Sequence, residues 1–247
     1  MPDSHAMAVF SDVHSNLEAL EAVLADMDEL RIRRRVCLGD IVGYGADPVA
    51  CLEKIRSLNC PVLQGNHDAA ASEETDFEEM NASAVAGVEF SRQKLSQEQR
   101  DWLGHLPLTL AQDSCEFVHG SLDAPDEWWY VLSPEDASIH FESQTQPLCF
   151  CGHTHDPMVW QSSGPHQLSI RHGEGRIQLP QTGKILINVG SVGQPRDRNP
   201  DACYAIFHPE AHWVQFRRVP YDLAKAKRKI ARAGLPQYSA ERLSEGR

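Results

Sequence analysis

Of the twelve histidines in this 247-residue chain, five fall in short polar stretches whose composition suits metal chemistry. The stretches are Ser11-Asp12-Val13-His14, Gly39-Asp40, Gly65-Asn66-His67-Asp68, Val118-His119-Gly120 and Gly152-His153-Thr154-His155. Asp-x-His and His-x-His place alternate residues on one side of an extended chain, so each pair can aim at one point. Asp12, His14, Asp40, Asn66, His119, His153 and His155 offer hard oxygen and borderline imidazole donors, with no cysteine among them. Seven donors exceed what one tetrahedral ion takes and suit two ions sharing a bridging carboxylate. Taken singly, each stretch reads as an ordinary loop, since Asn, Asp and Gly favour turns. Taken together and in order, they point to a metal site.

The elements around these residues explain how they could converge. Met7 to Phe10 is a short apolar strand that ends at the first stretch, and Val36-Cys37-Leu38 is another that ends at Gly39-Asp40. Pro61-Val62-Leu63 is a third, leading into Gly65, where a glycine lets the chain turn sharply. Leu17, Leu20, Val23, Leu24, Met27 and Leu30 recur at helical spacing behind Ser15 or Asn16 as cap. Asp47-Pro48 opens a second helix, with Asp47 as its cap. Strand-helix alternation with polar residues at strand ends is an α/β pattern, in which ligands bind beyond the carboxyl ends of strands.

Further along, Glu73 to Glu79 reads as an acidic loop or helix start, and Asn81 to Leu95 as helix. Ser96 with Gln99 forms a capping box. Leu108 to Leu110 pairs with Cys115 to Val118, and Ser133-Pro134 starts a short helix. Pro147 to Phe150 is a strand that ends at the His-x-His stretch. Strands follow at Met158 to Trp160, Ile177 to Leu179, Lys184 to Asn188, Cys203 to Phe207 and Trp213 to Val219. Asp222 to Ala233 is a basic, amphipathic last helix, whose Lys225, Lys227, Arg228, Lys229 and Arg232 read as a solvated face. With no linker signature, residues 1–247 read as one α/β domain of two sheets and flanking helices, with a leader at 1–6 and a flexible tail at 235–247.

Composition narrows the function classes. The formal charge of -12 repels nucleic acid and anionic membranes, and a phosphate-handling enzyme of that charge needs a local positive centre such as bound cations. No apolar run approaches the ~20 residues of a membrane helix. The seven cysteines show no knuckle or redox spacing, and Cys149 and Cys151 read as core residues sharing one strand face. A reducing, cytoplasmic location follows.

At these five stretches the sequence resembles the calcineurin-like metallophosphoesterases, most closely their small prokaryotic phosphodiesterase and phosphatase branch. The motifs span residues 12 to 155. The resemblance implies a two-sheet β-sandwich flanked by helices, in four α-β-β-α layers. It implies that Asp12, His14 and His155 hold one divalent ion, that Asn66, His119 and His153 hold the other, and that Asp40 bridges them. Manganese leads the candidate ions, with iron, zinc or nickel as alternatives. The implied activity is hydrolysis of small or nucleotide-like phosphomonoesters or phosphodiesters by in-line attack of a hydroxide between the ions. His67 would lie outside the ligand set and stabilise equatorial oxygens or protonate the leaving group. The rivals are a DNA nuclease, which the net charge opposes, and a protein-binding scaffold, which retention of His67 and all seven donors opposes.

One departure from the family pattern matters. Where related phosphatases carry an arginine after the Gly-Asp motif, this chain has Tyr44, in Gly39-Asp40-Ile41-Val42-Gly43-Tyr44-Gly45. An acid that could orient His67 is missing too. Arg196, after the glycines of Asn188-Val189-Gly190-Ser191-Val192-Gly193-Gln194-Pro195, is the replacement candidate for gripping substrate phosphate, with Tyr44 as a second substrate-binding candidate. Trp128, Trp129 and Tyr130 suit packing better than base stacking.

Overall fold

The computed structural model describes residues 5–72, 80–164 and 167–247. Strands alternate their faces, and that alternation sorts the core. In β1 (Met7–Phe10), Met7 and Val9 face one apolar cluster while Ala8 and Phe10 face another. The first cluster lies between two sheets and joins Val36, Leu38, Phe117, Phe150, Ile187 and Phe207. The second packs α1 (Leu17–Glu29) and α2 (Pro48–Ser57) through Leu20, Val23, Met27, Leu52 and Ile55. Each such fully buried side chain contributes about 1.5–3 kcal/mol relative to exposure. On the far side, α6 (Pro134–Ser143) covers Val118, Cys149, Cys151 and Leu186 with Ala137 and Phe141. The order is helix, sheet, sheet, helix.

One sheet runs β2 (Arg34–Cys37), β1, β10 (Ala202–His208), β11 (Trp213–Val219), β8 (Arg176–Gln178). The other runs β3 (Thr109–Gln112), β4 (Cys115–Val118), β5 (Leu148–Cys151), β9 (Lys184–Asn188), β6 (Met158–Ser162), β7 (Leu168–His172). The pairs β1–β2, β4–β5 and β5–β9 are parallel, so their carboxyl ends share one edge of each sheet. Among the described residues, no helix is long and apolar enough to cross a membrane.

The remaining helices are α3 (Asn66–Ser72), α4 (Ala82–Lys94), α5 (Gln97–Gly104), α7 (Leu223–Arg232) and α8 (Gln237–Glu245). The Ser96/Gln99 capping box is present, and Asn16 caps α1 through Ala19 N–H. Several expectations change. Pro61 to Leu63 is no strand but a single bridge between Cys37 and Val62, because Pro61 has no N–H to extend the ladder. Asp47 caps nothing with its side chain, which instead accepts from Lys229 Nζ at 2.7 Å. Lys225 and Lys229 are ion-paired with Glu18, so part of the basic face of α7 is engaged. The tail expected to be loose forms α8, whose Ala240 and Leu243 pack with Leu235 and with Ala226 and Ile230 of α7. Residues 1–4 of the expected leader and all of Glu73 to Glu79 lie outside the described residues, while Ala6 is buried.

Candidate metal centre

Four of the five chemistry-bearing stretches follow strand carboxyl ends on that shared edge. Asp12 and His14 follow β1, Asp40 follows β2, His119 follows β4, and His153 and His155 follow β5. Asn66 and His67 open α3, so this stretch is a helix start rather than a turn. Gly65 does not take a left-handed backbone there. Its requirement is space, since an added Cβ would collide with Asp40 Oδ1. Asp12, His14, Asp40, His153 and His155 do take positive φ, between 47° and 66°. Tyr44 does as well. Such non-glycine conformations cost about 1–3 kcal/mol each and mark strain held at functional sites.

The structure brings three groups together, with donor atoms within 4.8 Å of one another: Asp12, His14 and His155; Asp40, His119 and His153; and His14, Asp40 and His67. The first gathers Asp12, His14 and His155, the residues the family resemblance assigns to one ion; the second gathers His119 and His153 with Asp40 rather than with Asn66. His67 stands close enough to join His14 and Asp40. Asn66 Oδ1 is buried without a hydrogen-bond partner among the described residues.

The histidine tautomers follow from their backbone partners. His14, His119 and His155 each place Nδ1 on a carbonyl oxygen: Val42 at 3.1 Å, Leu38 at 3.0 Å and Gln194 at 2.6 Å. A carbonyl only accepts, so Nδ1 carries the proton and, in the neutral ring, Nε2 keeps its lone pair. The Nε2 atoms of His14 and His155 then face each other at 3.0 Å, with Asp12 Oδ1 3.1 Å from the latter. Two lone pairs and a carboxylate oxygen around one point fit a cation. His119 Nε2 and Asp12 Oδ1 are also buried without hydrogen-bond partners among the described residues.

Each carboxylate divides its oxygens. Asp12 Oδ2 accepts the His153 N–H at 3.0 Å, leaving Oδ1 to the cluster. Asp40 Oδ1 accepts the His67 N–H at 2.9 Å, and Oδ2 lies 3.6 Å from His14 Nε2 and 3.4 Å from His119 Nε2. Burial opposes charge on both acids, yet both stay well below the usual carboxylate range, Asp12 chiefly through His155 and Asp40 chiefly through His119. Burial also drives His14 and His153 well down and keeps them neutral. His119 goes the other way: Asp40 outweighs its burial and pushes it up to about 9.

His67 is held by packing. Its ring contacts those of His14 and Tyr44, each at 4.8 Å between centroids, and its Nδ1 lies against Gly43, where a Cβ would collide. Nδ1 has no hydrogen-bond partner among the described residues, as the missing acid implies. Burial pushes His67 down to about 4. Asp68 is structural. It accepts from Ile41, Val42 and Gly65 N–H groups and ties the loop after β2 to the start of α3.

Tyr44 and Arg196 both reach the centre. Tyr44 is buried against His14 and His67, and Arg196 Nη2 lies 3.5 Å from Tyr44 Oη. Asn188 donates to Gly152 O and Thr154 Oγ1, and Ser191 Oγ donates to Asp12 O, so the glycine loop braces both metal stretches. Two neighbours were not assigned to the centre from the sequence. Tyr130 stacks on His153 with centroids 3.9 Å apart, although Trp129 beside it is 51% exposed. Arg242, on α8, sits over the Tyr44 ring. The run of three adjacent aromatics was the available signal for the first, and the second had none.

Comparison with known proteins places this geometry in context. A family model described as the calcineurin-like phosphoesterase superfamily domain matches residues 6–212. An uncharacterized protein of Methanocaldococcus jannaschii, MJ0912, is 39% identical over 245 residues, covering 98% of both chains. The crystal structure of a metallophosphoesterase from Sphaerobacter thermophilus superposes with a TM-score of 0.86 at 36% identity, covering 98% of this chain and 99% of that one. The hypothetical protein PH1004 from Pyrococcus horikoshii has the same fold, with a TM-score of 0.80 at 21% identity and 98% coverage of each chain.

Proposed function

Because this chain belongs to the calcineurin-like phosphoesterase superfamily, we propose that it hydrolyses small or nucleotide-like phosphomonoesters or phosphodiesters with the help of two divalent cations. Asp12, His14 and His155 would hold one cation, and Asn66, His119 and His153 the other, with Asp40 reaching both. Manganese is the first choice, and iron, zinc or nickel suit the same donors. Bound there, the cations would polarise a phosphoryl oxygen and lower the pKa of a water.

The observation that carries this function is the pair of opposed Nε2 atoms of His14 and His155, 3.0 Å apart, beside two carboxylates that each keep one oxygen free for the cluster. The rest of the chemistry falls to the chain. His67, enclosed by Gly43, Tyr44 and His14 and lacking an acidic partner, donates a hydrogen bond to an equatorial phosphoryl oxygen. Arg196 offers a planar fork to an outward-facing oxygen. Burial of the donor residues excludes competing water. All seven cysteines are free, which suits a reducing cytoplasm.

A screen of aryl phosphate monoesters, aryl diesters and dinucleotides, with and without added manganese, tests the proposal. Metal-dependent hydrolysis of at least one class is expected. Metal-loaded protein that turns over none of them would count against it.

A further inference from the structure

Two arginines from distant parts of the chain meet around Tyr44. Arg196 comes from the loop after β9, with Nη2 3.5 Å from Tyr44 Oη and 3.3 Å from Gln194 Oε1. Its Nε is buried and has no hydrogen-bond partner among the described residues. Arg242 comes from α8, with Cζ 5.8 Å from the Tyr44 centroid and 5.3 Å from that of Tyr238. Its Nε donates to the Arg247 carbonyl oxygen at 2.7 Å. Among the described residues, neither guanidinium is ion-paired with an Asp or Glu side chain. Burial and the neighbouring Arg196 both disfavour the charge of Arg242. Like charges gathered around one phenol are unfavourable until an anion binds them.

Arg242 is not a stray surface side chain. The N–H of Arg198 donates to Gly246 O at 2.8 Å, which seats the end of α8 on the loop that carries Arg196. Gly246 takes a φ of 59°, and a Cβ there would come within 2.6 Å of Asn199 N. Leu243 and Ala240 anchor the same helix in the apolar cluster with α7. The segments that carry the two arginines are therefore held together. Tyr44 connects them to the metal centre, through ring contacts with His14 and His67 at 4.8 Å. Arg242 hydrogen-bonds to neither of those histidines.

Building on the phosphoesterase function above, we infer that Arg242 and Arg196 form a second anion subsite, so that the substrate carries a second phosphate beside the reacting one. Arg196 serves the reacting phosphoryl, and Arg242 grips the group next to it. A simple monoester of an uncharged alcohol would offer Arg242 no anionic partner. A substrate of the nucleoside diphosphate class would fill it, with Tyr44 setting the spacing between the two phosphates.

Calorimetric titration at saturating manganese, with inorganic phosphate and with methylenediphosphonate, separates the two subsites without any turnover. Wild-type chain should bind the diphosphonate at least about tenfold more tightly than phosphate. Arg242→Gln should weaken the diphosphonate by about tenfold and phosphate by less than about threefold. Arg242→Lys, which keeps the charge but not the fork, should recover part of the loss. Equal weakening of both probes, or of neither, would overturn the subsite. Loss of the preference in Arg242→Gln with no ester hydrolysed by wild type would keep the subsite and remove the hydrolase. Ester hydrolysis with an unaltered preference in Arg242→Gln would do the reverse.

Discussion

Asp40 accepts the backbone N–H of His67 with one carboxylate oxygen, at 2.9 Å, and turns the other toward His14 and His119. His14 and His119 belong to different donor groups. One residue thus fixes the start of α3, which carries His67, and faces both candidate cation positions. Its rigidity comes from the close approach of Gly65, whose lack of a side chain leaves room for Oδ1.

Replacing Asp40 with Asn keeps an acceptor for the His67 amide and removes the charge shared by the two groups. Metal content should fall by about one ion per chain, with turnover falling alongside. Elemental analysis of the purified Asp40→Asn protein checks this. Full metal content and full turnover in that variant would show that Asp40 does not bridge.

His67→Ala should leave metal content unchanged and reduce kcat by about 10²–10³, the loss typical of one donor to a developing oxyanion. Because no acidic side chain holds its Nδ1, the loss should be similar for aryl esters with good and poor leaving groups. Losing an ion would make His67 a ligand, a role its place near His14 and Asp40 permits. A loss that shrinks as the leaving group becomes more acidic would make it the general acid.

Arg196→Lys should cost nearly as much as Arg196→Ala, about 1.5–3 kcal/mol in kcat/KM, because an ammonium cannot reproduce the planar fork. Metal content should not change in either variant. Wild-type kinetics for both would leave the outward phosphoryl oxygen to water.

Stability has a pH-dependent element far from the centre. Asp26 accepts from Arg217 at 2.6 and 3.1 Å and from the Tyr204 hydroxyl at 2.6 Å. Burial would raise its pKa, but these partners outweigh burial and hold it below the ordinary value. A depressed carboxylate contributes stability that is fully present above its unfolded value of about 3.9 and is lost as pH falls through the folded pKa. Asp26→Asn should cost about 1.5 kcal/mol near pH 7, the low end for charged hydrogen bonds because Arg217 is 31% exposed. The cost should fade below about pH 4. Denaturant unfolding of both proteins at several pH values measures it, and a gap that persists into acid would assign the effect to packing.

Local features of the fold were the legible ones. The bounds of β1, β9 and β11 agree with the sequence pattern because each is a short apolar or alternating run bounded by polar residues. β7 escaped notice because Leu168–His172 is a largely exposed edge strand whose apolar content is Leu168 and Ile170. α8 escaped because it buries little apolar surface of its own and depends on α7 for a partner. At the centre, the recurrence of polar stretches just past predicted strands singled out Asp12, His14, Asp40, Asn66, His119, His153 and His155 as one set. The left-handed backbone of Asp12, His14, His153 and His155, and the carbonyls that fix the tautomers of His14, His119 and His155, arise from tertiary contacts, which no local pattern records. Arg242 was illegible for the same reason. It reaches Tyr44 across nearly the whole length of the chain.

The central claim is that the two donor groups hold two cations. Chelator-stripped protein titrated with manganese, with bound ion measured by elemental analysis and hydrolysis of an aryl phosphate ester followed in parallel, tests it most directly. Two ions per chain should bind, and activity should be absent in stripped protein and return as the ions load. A chain that saturates at fewer than two ions, or that hydrolyses the ester when fully stripped, would contradict it.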